Sequence, residues 1–91
     1  MARRSRLEIY YDVLQAISRG IQKPTRIMYK ANLSWIPLQE ILKSLLTQGF
    51  IEEKRFKKSM RYEITTKGIS VLNYYEKARE LLTVEVLEPK R

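Results

Sequence analysis

Residues 34–50 read SWIPLQEILKSLLTQGF, and this stretch decides the fold. Its apolar side chains recur at the spacing of an α-helix. They are Leu38, Ile41, Leu42, Leu45 and Leu46. Ser34 is of the type that caps helix N-termini, and Pro37 falls in the first turn, where its missing N–H is not needed. Because Gly49 is of the type that ends helices in the left-handed conformation, we predict one helix between these two ends.

Two helical segments precede this stretch. Residues 4–19 carry a broad apolar stripe and are predicted to form a helix that Gly20 ends. A shorter helix is predicted to begin at Pro24 and Thr25 and to run to about Ala31. Asn32 tolerates the conformation of a tight turn. The short helix that begins at Pro24 and the long helix of residues 34–50 are therefore expected to form a helix-turn-helix. The side chain of Leu33 is expected to fill the space between them.

Two β-like runs follow the long helix. Ile51 is expected to face the core from the first run, and Tyr62 and Ile64 from the second. Between them lies the basic sequence KRFKKSMR, residues 54–61, which predicts a hairpin with a charged turn. Residues 21–22 are expected to form a very short strand, paired through a single β-bridge.

A last helix is predicted from Lys67 to about Leu82, with Thr66 as its cap and a glycine in its first turn. Its apolar stripe is wide. Residues 83–86 lower the helix propensity, and Pro89 ends any regular structure. This helix is therefore expected to be short compared with an extended coiled coil.

The order of these elements predicts the fold class. Three helices, a β-hairpin and a final helix give an α+β, mainly α fold, the winged helix-turn-helix, with a three-helix core, a hairpin wing and a C-terminal dimerisation helix. Ninety-one residues predict one domain, residues 1–91. Its helix-turn-helix is expected at about 24–48, its wing at about 50–65 and its dimerisation helix at about 66–86.

Composition narrows the possible functions. The chain has no cysteine and no histidine, which excludes disulfides, zinc held by either residue and a histidine base; we expect no metal, no cofactor and no enzyme activity. No apolar run approaches the roughly 18 residues of a membrane span. The basic start, MARRSR, is not followed by an apolar signal region, which indicates a protein of the cytoplasm or nucleoid.

Basic residues concentrate in the predicted DNA-binding half. Residues 19–67 hold eleven basic and four acidic side chains, so they carry +7 of the net charge of +8. Clustered positive charge is typical of a polyanion binder, although a solvated basic surface would have the same composition. The candidate partner is double-stranded DNA.

A helical wheel places Ile36, Glu40, Lys43 and Thr47 of the long helix opposite its apolar stripe, and Gln39 and Ser44 flank that outer face. The recognition-helix candidates on this surface are Ile36, Gln39, Glu40 and Lys43. Gln39 matches an adenine edge and Lys43 guanine or phosphate, while Ile36 either touches a thymine methyl group or is merely exposed. Trp35 projects toward the core edge and is expected mainly to pack.

Three further groups are candidates for phosphate contacts. Helix 2 contributes Arg26, Tyr29 and Lys30. The wing contributes Lys54, Arg55, Lys57, Lys58 and Arg61, which we expect as point charges on one hairpin tip. The leading Arg3, Arg4 and Arg6 form either a DNA-contacting arm or a solvated end. Both the wing and helix 2 have the alternative of being ordinary solvated surface.

The surplus of apolar residues on the first and last helices predicts a homodimer, since one small domain cannot hide them all. The candidate interface residues are Ile69, Leu72, Tyr75, Ala78, Leu81 and Leu82. We expect helix 1 to contribute.

A family resemblance supports this interpretation. The runs YKANLS, LLTQGFIEEK and YEITTKGISVL, within roughly residues 7–82, resemble the small winged-helix proteins of archaea and their viruses. That group includes chromosomal DNA-binding proteins that dimerise through a C-terminal antiparallel coiled coil. The resemblance implies a DNA binder that dimerises through its last helix, whose shortness here favours compact packing against helix 1 of the partner.

The function expected is a sequence-specific, homodimeric transcriptional regulator. Two alternatives stay open. An architectural protein with little sequence preference would rely on the charge of the wing, and a winged-helix protein-interaction module would use the outward aromatic and apolar residues.

Overall fold

The computed structural model describes residues 4–87, and the surroundings of side chains as far as residue 82. The described elements are α1 (Arg6–Ser18), α2 (Pro24–Ala31), α3 (Trp35–Thr47), β1 (Ile51–Phe56), β2 (Ser59–Ile64) and α4 (Thr66–Leu87). This order confirms the α+β, mainly α prediction of three helices, a hairpin wing and a final helix.

One apolar core joins all six elements. Its side chains are buried because the helical stripes and the inner face of the hairpin meet in one interior. They are Val13, Leu14, Ala16, Ile17, Ile27, Ala31, Leu38, Ile41, Leu42, Leu45, Ile51, Tyr62 and Leu72. No polar or charged side chain of the described residues is buried among them. The long helix is therefore held by one face, which leaves its opposite face at the surface.

The first helix begins with a capping box that the sequence analysis missed. Ser5 Oγ accepts the N–H of Glu8 at 3.1 Å, and the N–H of Ser5 donates to the Glu8 carboxylate at 2.7 Å. The backbone hydrogen bond from Ser5 lowers the pKa of Glu8 below its ordinary value of 4.5. Two N–H groups that a helix leaves unsatisfied are paired in this way, so α1 begins at Arg6 and not at residue 4.

Two predicted caps differ from the structure. Ser34 occupies the N-cap position of α3, but its side chain makes no capping hydrogen bond. At α4 the cap is Thr65, one residue before the predicted Thr66. The Thr65 hydroxyl accepts the N–H of Gly68 at 3.0 Å and donates to the carbonyl of Gly49 at 2.7 Å. This second hydrogen bond connects the start of α4 to the end of α3. A contact between residues so far apart in sequence cannot be predicted from neighbouring residues alone.

The wing is a two-stranded antiparallel hairpin. Its register runs from Ile51 opposite Ile64 to Phe56 opposite Ser59, so Ile51 and Tyr62 lie on the face that meets the core. The predicted strand at residues 21–22 is not formed. Only one backbone hydrogen bond joins that loop to β2 among the described residues, from the Tyr62 N–H to the Gln22 carbonyl at 3.0 Å.

The last helix extends beyond the end predicted for it at about Leu82. It contains 22 residues and continues through the β-branched positions 83, 84 and 86 to Leu87. Propensity differences at these positions amount to only a few tenths of a kcal/mol each, too little to end a helix. Pro89 lies outside the described residues. The predicted end at about Leu82 is therefore wrong, whereas the comparison with an extended coiled coil stays a prediction.

Side-chain contacts fix the first half of α4 to α1. The Tyr11 hydroxyl donates to the Glu76 carboxylate at 3.0 Å, and the Tyr11 and Tyr75 rings lie 4.7 Å apart between centroids. Partial burial and the neighbouring carboxylate raise the pKa of Tyr11. These contacts set the direction in which α4 leaves the core.

No helix within residues 4–87 is both long enough and apolar enough to cross a membrane.

Candidate nucleic-acid interface

The turn between α2 and α3 is built by one left-handed residue. Asn32 has φ 56°, and the N–H of the following Leu33 donates to the Met28 carbonyl at 3.0 Å. Asparagine adopts this conformation at lower cost than most residues. The turn therefore presents α3 across α2, as the sequence analysis expected.

Arg4 fastens this turn to α1. Its guanidinium donates to the Asp12 carboxylate at 2.7 Å and to the Asn32 carbonyl at 3.0 Å. A half-buried, charge-assisted pair of this kind holds the arginine in one place. Neither alternative given for Arg4, a DNA-contacting arm or a solvated end, fits these contacts, because this residue is part of the domain. Arg3 lies outside the described residues, and Arg6 begins α1.

The four recognition-helix candidates all lie exposed on one face of α3. Ile36 is 69% exposed, and Gln39, Glu40 and Lys43 are also exposed. None of these four side chains makes a hydrogen bond or ion pair with another described residue. From residue 36 to residue 43 the face extends about 10 Å along the helix axis. Its polar atoms are thus available for a ligand, and the core on the opposite side keeps the helix from rotating.

Trp35 does not pack as predicted. It is the first residue of α3, is 45% exposed, and lies outside the set of side chains that pack on the core. The helical wheel gave the correct angle, but side chains of a helix tilt toward its N-terminus. At the first turn this tilt takes the indole beyond the last core layer. Trp35 therefore joins Ile36 at the exposed start of the recognition helix.

The helix 2 candidates are exposed as well. Arg26, Tyr29 and Lys30 are all exposed, with Tyr29 at 81%. Their opposite face buries Ile27 and Ala31.

The wing charges are less concentrated than the sequence suggested. Only Lys57 and Lys58 occupy the turn, where Lys57 has φ 56°. Lys54 lies between two carboxylates, 3.8 Å from Glu52 and 3.9 Å from Glu63, which offset its charge. The expectation of five point charges on one tip is therefore wrong, because alternate residues of the strands point to different surroundings.

Arg61 differs most from the prediction of point charges on the tip of the wing. Its guanidinium lies 4.6 Å from the centre of the Phe56 ring, and its side chain is half-buried. Together with Lys23 and Arg26 it lines a cleft between β2 and the start of α2. The structure thus joins one residue of the helix 2 group to one of the wing group. Lys23 was missed; its position directly before Pro24, at the positive end of a helix, was the signal for it.

Tyr62 anchors the wing to the body. Its ring is buried, and its hydroxyl donates to the Glu53 carboxylate at 3.3 Å. Burial, and then the charge of Glu53, raise the pKa of Tyr62. Because its N–H also bonds the α1–α2 loop, the base of the wing has a fixed position relative to α2.

The dimer-interface candidates fall into two groups. Leu72 is 7% exposed and belongs to the core of its own chain, and Tyr75 is half-buried against Tyr11. The others are exposed. They are Ile69 (46%), Ala78, Leu81 (57%) and Leu82 (62%). Tyr74, at 77%, adds to this exposed apolar surface of α4.

An apolar groove lies beside these residues, between α1, the end of α3 and α4. It has a volume of about 470 Å³ and is lined chiefly by apolar side chains. They include Leu7, Tyr10, Leu14, Phe50, Val71 and Tyr75. Within residues 4–87 no cluster of acidic side chains is placed to hold a metal ion.

Comparison with known proteins agrees with this geometry. A family model described as winged helix-turn-helix matches residues 3–83. An uncharacterised protein of Methanocaldococcus jannaschii is 36% identical over 66 residues, which are 72% of this chain and 64% of that protein. A second protein of the same organism is 31% identical over 80 residues, 88% of this chain and 36% of that protein. The chain thus spans less than two thirds of the length of either relative.

Two solved structures show the same fold. Sso10a-2, a DNA-binding protein from Sulfolobus solfataricus, superposes with a TM-score of 0.70 and 26% identity over 96% of this chain and all of that one. The transcriptional regulator BldR from the same organism gives 0.77 and 21% identity over 87% of this chain and 59% of that one. The predicted likeness to small archaeal winged-helix proteins is confirmed, and the chain belongs to the winged helix-turn-helix family.

Proposed function

We propose that this chain is a sequence-specific, double-stranded DNA-binding transcriptional regulator that acts as a homodimer. One observation carries the proposal. The helix α3, which buries Leu38, Ile41, Leu42 and Leu45 in the core, presents an exposed face whose polar side chains have no partner among the described residues. A rigid helix with unsatisfied donors and acceptors is suited to reading base edges in the major groove.

Each side chain of that face matches a base. Gln39 donates to and accepts from adenine, Lys43 donates to guanine, and Glu40 accepts from the amino group of cytosine. Ile36 and Trp35 offer apolar contact to thymine methyl groups. Because Gln39 and Lys43 are separated by about one helical turn, they reach neighbouring base pairs on the same side of the groove.

The flanking elements supply contacts to phosphate. Arg26, Tyr29 and Lys30 project from α2, and Lys57 and Lys58 from the turn of the wing. Contacts of this kind position a protein without reading sequence. Lys54 contributes less, because Glu52 and Glu63 already offset its charge.

The dimer brings two such faces to one duplex. Its interface consists of the exposed apolar residues of α4 and the groove beside α1, where Leu7 is 62% exposed. An apolar surface of this extent on a small domain is typical of an interaction site. The length of α4 allows its second half to reach beyond its own core and to lie in the groove of the partner.

An architectural role is the second candidate, and the composition of the interface favours it in one respect. The residues that match bases number only five, and one of them, Glu40, repels phosphate. An interface dominated by phosphate contacts binds most sequences alike.

In vitro selection from random duplexes tests the proposal. A two-fold related consensus supports a dimeric regulator, and a flat outcome supports the architectural protein. The absence of duplex binding contradicts both and favours a protein partner.

A single substitution then tests base reading on the selected site. Gln39→Ala should cost about 1–3 kcal/mol on that site and almost nothing on random DNA, since the variant removes hydrogen bonds to a base and no charge. Asn73→Ala, which removes an exposed amide from α4, is the matched control. Equal losses of affinity on both duplexes for Gln39→Ala would contradict base reading by this residue.

A further inference from the structure

A cationic cleft lies apart from the recognition face and the turn of the wing. It measures about 330 Å³ and opens between the α1–α2 loop, the first turn of α2 and β2. Its lining residues are Gly20, Ile21, Gln22, Lys23, Arg26 and Arg61. Three of these six are cations, and none is acidic. Like charges that converge without a carboxylate repel one another, so the cleft has the composition of an anion site.

Arg61 lacks the partners that a half-buried arginine ordinarily has. Its Nε is fully buried and donates to no other described residue. Arg4, which is also half-buried, shows the usual arrangement, with a carboxylate and a carbonyl as acceptors. Buried donors are nearly always paired, and an exception calls for a specific explanation. The Phe56 ring beneath the guanidinium holds it in place without neutralising it.

The backbone adds to the positive potential of the cleft. Lys23 is the N-cap of α2 and provides no side-chain cap, and Pro24 follows at the first helical position. The N–H groups of Thr25 and Arg26 therefore belong to the first turn, where a helix has no internal acceptors for them. No acidic residue lies in that turn to offset the helix dipole.

We propose that this cleft binds one phosphate group of the DNA backbone, held jointly by Lys23, Arg26 and Arg61. The inference rests on the proposed DNA-binding function and assigns a ligand to one part of the interface. A fork-shaped guanidinium donates two parallel hydrogen bonds to a phosphate, so two arginines and a lysine satisfy all its unbridged oxygens. Because Arg26 belongs to α2 and Arg61 to β2, a shared phosphate fixes the wing relative to the helix-turn-helix when DNA binds.

A shared phosphate makes a quantitative prediction. The slope of log affinity against log salt falls by about 0.9 for each phosphate that the protein no longer neutralises. The slope for the triple variant Lys23→Ala, Arg26→Ala and Arg61→Met should fall by about 0.9 per protomer, whereas three cations on separate phosphates would give about 2.7 per protomer. Arg61→Met keeps the stem on Phe56, so circular dichroism and thermal unfolding should show an intact fold. Lys77→Ala, which removes one charge from α4, should leave the slope unchanged.

A second measurement does not depend on the variants folding normally. Each phosphate of a bound duplex is replaced in turn by a neutral methylphosphonate, and the affinity of the wild-type chain is measured. Replacement of one phosphate in each half-site should weaken the binding of the wild type and have no effect on the triple variant. The inference would be overturned if the same replacements weakened the binding of the wild type and of the variant alike. It would also be overturned if the variant became insensitive to replacement at two separate phosphates of a half-site.

Titration with inorganic phosphate distinguishes a DNA phosphate from a free anion. The ¹⁵N resonance of the Arg61 Nε should shift with the duplex at micromolar concentration and with inorganic phosphate only at far higher concentration. A shift with inorganic phosphate but none with the duplex would make the cleft a free-anion site and overturn the inference. A wild-type chain that binds no duplex at low salt contradicts the proposed function as well, whereas binding without these effects contradicts the cleft alone.

Discussion

Replacing Leu81 and Leu82 together by aspartate should convert the proposed dimer into folded monomers. Both side chains lie on α4 beyond its contacts with α1, and they are 57% and 62% exposed within one chain. Leu72 is not a suitable site for this test, because it is 7% exposed and its replacement by a charge would unfold the core.

The expected effect follows from the exposed area. Burying a leucine side chain completely stabilises by about 1.5–3 kcal/mol, so covering the exposed part of Leu81 or Leu82 contributes about 1–2 kcal/mol. A symmetric dimer covers four such side chains, which gives about 4–8 kcal/mol, or roughly three to six orders of magnitude in the dissociation constant. Aspartate loses this contribution and adds the cost of desolvating a charge.

Sedimentation equilibrium between nanomolar and micromolar protein measures the change. The wild type should be dimeric and the double variant monomeric at micromolar concentration, with equal helix content by circular dichroism. Asn73→Asp is the control, since it places one aspartate on the polar side of α4 and should leave the dimer intact. A double variant that dimerises as tightly as the wild type, or a wild type that is monomeric at micromolar concentration, would refute the reasoning.

Three further outcomes are expected. Lys57→Ala with Lys58→Ala should weaken binding to all duplexes about equally and lower the salt slope by about 0.9 for each phosphate left without its lysine; a loss confined to one sequence would mean that the wing reads bases. Gly68→Ala should destabilise by about 3 kcal/mol in urea unfolding, because the new Cβ would overlap a backbone carbonyl oxygen of the α3–β1 loop, whereas Gly20→Ala meets no neighbour and is disfavoured only by its φ of 93°. Glu8 has a lowered pKa in the folded state, so its contribution to stability is present above pH 4.5 and is lost as the pH falls through the lowered pKa; Glu8→Gln should flatten the unfolding profile below pH 4.5, and an unchanged profile would contradict this assignment.

The sequence was sufficient for the helix-turn-helix because its signals are local. Apolar spacing in α3 identified the buried face, and the same wheel identified the exposed face. Asn32 and Gly49, both with positive φ, marked the turns. Alternation in the strands assigned Ile51 and Tyr62 to the core. Each of these signals depends only on neighbours within a few residues.

The errors arose where distant segments meet. Thr65 is the cap of α4 because it also bonds the end of α3, and Arg4 is held by a carbonyl 28 residues away. Charge counting grouped Lys54 and Arg61 with the wing tip. Glu52 on the same strand and Glu63 on the paired strand instead give the lysine two carboxylate neighbours, and the arginine lies in a cleft beside the α1–α2 loop.

Two other errors concern helix ends. A helical wheel carries no information on depth along the axis, so it placed Trp35 at the core edge and predicted packing, although the residue begins its helix and is exposed. Weak propensities were given too much importance at the end of α4, which continues to Leu87. The assignment of site residues from sequence is limited in the same way. Lys23 becomes a candidate only because it shares a cleft with Arg61, which is distant in sequence.

The ratio of two affinities tests the central claim most directly. The wild-type chain is titrated at one fixed salt concentration against the duplex obtained by selection and against a scrambled duplex of the same length and composition. Fluorescence of Trp35, the single tryptophan of the chain, reports binding from the recognition helix itself. A specific regulator should prefer the selected duplex by about 10³-fold or more. Equal affinities for the two duplexes would contradict sequence-specific regulation and leave the architectural role.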